Sequence, residues 1–194
     1  MKTLHNNICP INLSNPNNEG YGFFIGHYFI TAAHVVKGTE KPFIVKKGER
    51  IYLENPIFNK FDNPATDSLE SYDLAVYYVP DFYAELDFYN EDIVEEMRLN
   101  FASYKAFGEI PIDVNVVVVG VGGNYFGGLS EMNLSGGCSG SPIMYEGKVA
   151  GMIVSGNINE DGSIYNKDLP MNFCRFQKSS AIKRILEKKY CIVG

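Results

Sequence analysis

The sequence has no long apolar run and no excess of positive charge, and each absence argues against a class of protein. No stretch approaches the ~18 consecutive apolar residues of a membrane-spanning helix, so we expect no membrane association. The net charge of −6 is unfavourable for sequence-independent binding of nucleic acid. Apolar residues make up 45% and charged residues 21% of the 194 residues, which is ordinary for a soluble globular protein with a buried core.

Cysteines are few and do not form a paired motif. The chain has four, at Cys9, Cys138, Cys174 and Cys191, with no C-x-x-C spacing. This spacing argues against a zinc site and a disulfide framework, and we expect neither a metal nor another cofactor. The N-terminal residues lack the apolar stretch of a signal peptide. We therefore expect free thiols and a cytoplasmic protein, while a removed leader or a larger parent protein stays open.

Most strongly patterned segments predict strands. They are rich in aromatic and β-branched residues and are separated by Gly, Asn and Pro, as in sandwiches and barrels. The segments are 21–31, 43–55, 74–79, 113–123 and 147–157. Turns are predicted at Gly26–His27, at Lys46–Glu49 and at Glu146–Gly147. The pattern favours an all-β fold.

Two segments predict helices. Residues 88–105 carry apolar Ile93, Val94, Met97 and Leu99 among acidic residues, and we expect a helical connector between two β halves. Residues 179–189 place apolar side chains at helical spacing after a serine, which predicts a C-terminal helix packed on the outside.

The stretch GCSGSP at 137–142 has the composition that acyl transfer requires. The reaction needs a nucleophile and two backbone N–H groups that converge on the developing oxyanion. Glycines permit the backbone conformations that make such groups converge. Ser139 is thus a candidate nucleophile, with the N–H groups of Gly137 and Ser139 as a candidate oxyanion hole. A flexible Gly/Ser loop would have the same composition.

A serine nucleophile needs a base, and the chain has three histidines. His5 lies in the N-terminal segment and His27 in a predicted turn, whereas His34 directly follows an apolar strand. The base in turn needs an orienting carboxylate. Asp73 opens a predicted buried strand and is favoured over Asp67.

The order of these residues along the chain is informative. α/β-Hydrolases place the histidine after the nucleophile within a G-x-S-x-G context, but every histidine here precedes Ser139 and position 141 is serine. Subtilisin-like enzymes place the acid first, but no aspartate precedes His34. The order His34, Asp73, Ser139 matches the chymotrypsin type.

Three blocks of sequence resemble the signatures of trypsin-like serine proteases. They are TAAH at 31–34, DLAV at 73–76 and GCSGSP at 137–142. The resemblance is closest to the bacterial V8-like and HtrA-like branch, and it extends over roughly residues 18 to 190.

This resemblance implies one trypsin-like peptidase domain over residues 1–194. Its architecture would be two six-stranded antiparallel β-barrels, at about 8–86 and about 107–177. The helical connector would occupy about 87–106 and the C-terminal helix about 178–190.

The resemblance also implies a serine endopeptidase that hydrolyses peptide bonds through an acyl-enzyme. His34 would be the general base, Asp73 the orienting acid and Ser139 the nucleophile. Gly137 and Ser139 would supply the oxyanion hole. The implied partner is a protein or peptide substrate, with a regulatory partner left open.

The substrate would pair with an exposed backbone edge formed by Ser155, Gly156 and Asn157. The family's primary pocket would be floored by Asn133 and Leu134, with Val154 on the facing wall. These side chains are uncharged, which favours a neutral, apolar or medium-sized residue.

We expect two acidic residues at the rim of the substrate cleft, Glu160 and Asp161, to attract basic residues of the substrate.

One departure from the family is Cys138, which stands where secreted animal members carry an acid that receives a new N-terminal amine. The departure predicts activity without N-terminal processing. Two alternatives stay open: an inactive protease-fold binding or scaffold module, and a variant that uses Cys138 as the nucleophile.

Overall fold

The computed structural model describes residues 7–12, 20–62, 68–103, 112–134, 137–159 and 161–190. The strands are β1 (Ile8–Pro10), β2 (Tyr21–Ile25), β3 (Tyr28–Thr31), β4 (Phe43–Lys46), β5 (Glu49–Tyr52), β6 (Phe58–Phe61), β7 (Asp73–Tyr78), β8 (Arg98–Ser103), β9 (Ile112–Gly122), β10 (Tyr125–Ser130), β11 (Pro142–Tyr145), β12 (Lys148–Gly156) and β13 (Phe173–Lys178). The helices are α1 (Ala33–Val36) and α2 (Ser179–Tyr190). The all-β prediction is confirmed.

The C-terminal half is a closed antiparallel barrel with strand order β10-β13-β12-β11-β8-β9. Strand β9 shows why the sequence folds this way, because Val114, Val116 and Val118 are buried while Val119 and Val121 are exposed. Alternating side chains of a strand point to opposite faces, so one set fills the barrel and the other covers its outside. The predicted six-stranded C-terminal barrel is confirmed.

The N-terminal half is a five-stranded antiparallel sheet with strand order β1-β2-β3-β7-β6. The β4–β5 hairpin attaches to it through backbone hydrogen bonds between Asn12 and Phe43. Among the described residues, no strand pairing joins β5 to β6 and closes this half. The predicted second closed barrel is therefore not confirmed.

Three predicted hairpin turns are present. Gly26 and His27 join β2 to β3, and Gly26 has a φ of 55°. The β4–β5 turn has φ values of 50° at Lys47 and 80° at Gly48, and the β11–β12 turn has 49° at Glu146 and 77° at Gly147. In the β4–β5 and β11–β12 turns, positive φ at both central residues gives the twist that favours a two-residue hairpin.

The predicted helical connector is wrong. Residues 88–97 contain no helix, 98–103 form β8, and 104–105 lie outside the described residues. The backbone N–H groups of Tyr89 and Glu96 donate instead to the carbonyls of Val149 and Val118 in the barrel. These inter-strand bonds replace the local bonds that a helix would need.

The predicted C-terminal helix is confirmed as α2. Its buried side chains Ala181, Ile182, Ile185 and Leu186 join the core cluster that also contains the N-terminal sheet. The helix contacts β12 and β13 of the barrel. No helix within the described ranges has the length and apolar character needed to cross a membrane.

Candidate active site

His34 and Asp73 form a close two-point contact. His34 lies in α1, directly after β3, and Asp73 opens the neighbouring strand β7. Asp73 Oδ2 lies 2.6 Å from His34 Nδ1, and Asp73 Oδ1 accepts the backbone N–H of His34 at 2.9 Å. The Asp73 side chain is 1% exposed and that of His34 is 33% exposed. A buried carboxylate thus fixes the ring orientation and leaves the imidazole accessible to a ligand.

The C-terminal barrel holds the backbone around Asp73. Gln177 Oε1 accepts the Asp73 N–H at 3.1 Å. The Asn124 side chain donates to the carbonyls of Leu69 and Ser71, each at 2.9 Å. Gln177 and Asn124 are both fully buried. We missed these two residues in the sequence because their partners lie more than fifty positions away and no local pattern marks them.

The loop that carries Ser139 docks against the N-terminal sheet. The Ser139 carbonyl accepts the N–H of Tyr21 at 2.8 Å, and the Gly140 N–H donates to the carbonyl of Ile153 at 2.9 Å. Gly140 has a φ of 87°, and a Cβ at this position would lie 1.8 Å from the Tyr21 carbonyl oxygen. Only glycine fits here, so this residue sets how closely the loop approaches β2.

The two N–H groups of the candidate oxyanion hole have no acceptor among the described residues. Gly137 has a φ of 100°. Ser141 N–H donates to the Cys138 carbonyl at 3.1 Å, whereas no described acceptor pairs with the N–H groups of Gly137 and Ser139. As far as the described residues are concerned, both donors can bind a ligand.

His34 and Ser139 line two different cavities that share part of their walls. The larger cavity, of about 580 Å³, is lined by His34, Asp73 and residues 154–159. The smaller pocket, of about 40 Å³, is lined by Ser139 and its neighbours. Both are lined by Ser155, Gly156 and Ile158. The segment 155–158 therefore forms a common wall of this cleft region.

The predicted substrate-binding residues are distributed over this cleft. Val154, Ser155, Gly156 and Asn157 line the larger cavity. Leu134 lines the smaller pocket together with Gly137 and Cys138. Asn133 is among the described lining residues of neither, and its side chain lies 3.2 Å from the sulfur of Met171.

The side chain of Asn157 has a structural role in the wall of the cleft. It is 2% exposed. Its amide donates to the carbonyls of Asn166, Leu169 and Pro170 at 2.9–3.0 Å, and its oxygen accepts the Asn166 N–H at 2.8 Å. Asn157 therefore anchors the loop that forms the far wall of the larger cavity.

Several cavity residues were not found from the sequence. They are Phe61, Tyr165, Leu169, Phe173 and Arg175.

Of the two acids expected at the rim of the cleft, Glu160 lies outside the described residues. The hydroxyl and N–H of Ser163 donate to Asp161 and hold the pKa of its carboxyl below the ordinary value. His5, Asp67 and Cys191 also lie outside the described residues.

Cys138 lies on the core side of the serine loop. It is 7% exposed and belongs to the C-terminal core cluster, which also includes Cys174. Burial raises the pKa of the Cys174 thiol to about 12.

In the described part of the chain, no three His, Cys, Asp or Glu side chains are grouped so as to hold a metal ion.

A closed six-stranded barrel beside a second antiparallel sheet, with this cleft between them, is the fold of the chymotrypsin-type serine proteases. No protein-family model and no curated protein matches the sequence. Solved structures do match.

Three of these structures illustrate the range of sequence identity and structural similarity. The Rv3671c protease of M. tuberculosis in its active form is 16% identical with a TM-score of 0.66, covering 96% of this chain and 82% of that one. A human pathogenic astrovirus serine protease is 18% identical with a TM-score of 0.60, covering 89% of each chain. A scabies mite inactivated protease paralogue is 14% identical with a TM-score of 0.70, covering 99% and 94%. Such identities establish the fold, and neighbours described as active and as inactivated share it.

Proposed function

We propose that this protein is a serine endopeptidase. The observation that carries the proposal is the pairing of His34 with buried Asp73 at 2.6 Å, at a cavity that shares a wall with the pocket lined by Ser139. A buried carboxylate that binds both the ring and the backbone of one histidine fixes the imidazole as a base. The protease fold supports the same conclusion.

The proposed reaction would use this pair together with Ser139. His34 Nδ1–H donates to Asp73, so Nε2 is left to accept a proton. Ser139 Oγ attacks the peptide carbonyl carbon while its proton passes to His34, and the carbonyl oxygen becomes an oxyanion. The N–H groups of Gly137 and Ser139 would donate to that oxyanion. His34 then protonates the leaving amine, and water hydrolyses the acyl-enzyme by the same steps.

The substrate would bind as an added strand on β12. Strand β11 pairs with β12 as far as Met152, and the Ile153 N–H donates to Ser141. Beyond that point, β12 pairs only with β13 among the described residues, which leaves one edge of Ser155 and Gly156 open. An extended peptide can hydrogen-bond to such an edge.

The pocket beside Ser139 favours a small, uncharged side chain at the residue whose carbonyl is attacked. It measures about 40 Å³, and apolar Leu134, Ile153 and Ile158 line it. The chemistry agrees with the neutral preference expected from the sequence. The size argues for a smaller residue than the medium-sized one expected there.

Two alternatives give different results in one labelling experiment. The inactive-module alternative has support from the fold's occurrence in an inactivated protease paralogue. The Cys138 alternative is disfavoured because the residue is 7% exposed and packs in the core. We expect a fluorophosphonate probe to label Ser139, with labelling abolished in Ser139→Ala and strongly reduced in His34→Ala.

The control in this experiment is His27→Ala, which changes a histidine in the β2–β3 turn and should leave labelling intact. No labelling of the folded wild-type protein would favour the inactive module. Alkylation of Cys138 with a matching loss of peptide cleavage would favour the cysteine nucleophile.

A further inference from the structure

Arg175 is placed in the larger cavity by the register of β13. Cys174 and Phe176 are buried in the barrel core, so Phe173, Arg175 and Gln177 project from the opposite face of the strand. Gln177 reaches the backbone of Asp73. Arg175 is two residues away on the same face and lines the cavity beside the histidine.

Arg175 forms no ion pair with any described residue. Its guanidinium carbon lies 5.7 Å from the ring centroid of Phe173, and no described carboxylate lies within ion-pair distance. Asp73 is the only acid among the described lining residues, and both of its oxygens are bound to His34.

Arg175 is the only lysine or arginine among the described residues that line the cavity. Lys37 lies outside this lining, although its Nζ is 4.6 Å from the ring centroid of the wall residue Phe61. A cavity with one cationic side chain, whose only described carboxylate is already bound, favours an anionic ligand.

Gly156 leaves room in the smaller pocket and not beside Arg175. It is paired with Cys174, which is buried in the barrel core, whereas Ser155 is the residue paired with Arg175. A Cβ on Gly156 would meet the carbonyl oxygen of Leu134 at 3.4 Å, and Leu134 lines the smaller pocket. Ser155 and Arg175 therefore face the larger cavity together.

The alternating direction of side chains along an extended peptide determines which substrate side chains enter the larger cavity. Successive side chains point to opposite faces. If the residue whose carbonyl is attacked fills the small pocket at Ser139, the second and fourth residues before the scissile bond turn toward the larger cavity. We propose that Arg175 selects a carboxylate side chain at one of these two positions. This inference rests on the proposed function, because it uses the same cleft.

The test measures binding, so it does not depend on turnover. Fluorescent peptides with alanine at the attacked residue, which is the first residue before the scissile bond, carry Glu or Gln at the second or the fourth residue before that bond. They are titrated into Ser139→Ala protein. We expect the Glu peptide to bind about tenfold or more tightly than the Gln peptide at one position, because a charge-assisted bond replaces a neutral one.

The variant Ser139→Ala/Arg175→Gln should lose this discrimination, so that the Glu and Gln peptides bind with equal affinity. A matched control is Arg50→Gln in the same background, since Arg50 also lies over a phenylalanine ring, at 4.9 Å from Phe43, but on the distant β4–β5 hairpin. The control should keep the preference for Glu.

Equal affinity for Glu and Gln peptides at both positions would overturn the inference. A preference for Glu that survives Arg175→Gln would also overturn it. Failure of the proposed function has a different signature, namely no fluorophosphonate labelling of Ser139 in the protein that retains this serine.

Discussion

Replacing Asp73 by asparagine tests the role of the buried carboxylate with the least change in shape. Asp73 Oδ1 accepts the backbone N–H of His34 at 2.9 Å, so the amide of an asparagine should keep its oxygen there. Its NH₂ group then faces Nδ1, at the position where Oδ2 lies at 2.6 Å. Nδ1 must become an acceptor, and the ring proton moves to Nε2, which can no longer accept a proton from serine.

The expected loss is about 10⁴-fold in kcat, the effect of the wrong histidine tautomer in an enzyme with this arrangement. At about 1.36 kcal/mol for each factor of ten, the barrier rises by about 5.4 kcal/mol. The assay is the rate of Ser139 labelling by a fluorophosphonate together with kcat for a peptide substrate. Thermal unfolding verifies that the variant remains folded.

The matched control is Asp62→Asn. Asp62 also accepts a backbone N–H, from Tyr72 at 3.0 Å, and pairs with Lys60 at 3.1 Å, but it does not contact His34. We expect a rate within a few-fold of wild type. A folded Asp73→Asn protein that reacts at the wild-type rate would refute the reasoning.

Three further predictions concern the framework of the site. Gln177→Leu leaves the buried Asp73 N–H without its acceptor, and we expect a loss of about 1–3 kcal/mol in the free energy of unfolding, measured by denaturant titration, with slower labelling. Gly140→Ala should abolish labelling because its Cβ would clash with β2, whereas Gly147→Ala, with a φ of 77° and no atom within 4 Å, should cost only about 1–2 kcal/mol and keep labelling. Burial raises the pKa of Cys174 from 9.0 to about 12, so its contribution to stability is complete below pH 9 and is lost as the pH rises toward 12. Cys174→Val should therefore reduce the fall in melting temperature between pH 9 and pH 12. An unchanged pH dependence would contradict the attribution of this fall to the Cys174 thiol.

Features that depend on neighbouring residues could be predicted from the sequence. Lys47–Gly48 and Glu146–Gly147 indicate two-residue hairpins locally, because the glycine of each pair accepts positive φ at low cost. The apolar run of β7 directly after Asp73 indicated a buried strand with a carboxylate at its start. This local pattern is why His34 and Asp73, 39 positions apart, were correctly expected to meet.

Features that depend on distant contacts could not be predicted. The segment before β8 has helical spacing of apolar residues, but backbone bonds to Val118 and Val149 override that preference. Gln177 contacts Asp73 across 104 positions, and nothing in its own neighbourhood marks it. The charged cavity was missed for the same reason, because Arg175 and the walls around it come together only in the folded chain.

A crystal structure of the protein after reaction with a phosphonate inhibitor tests the central claim most directly. The account predicts a covalent bond from Ser139 Oγ to phosphorus. It also predicts that a phosphonyl oxygen accepts the N–H groups of Gly137 and Ser139, and that the His34 ring lies within hydrogen-bonding distance of the adduct. An unmodified Ser139, or an adduct with His34 turned away from it, would contradict the account.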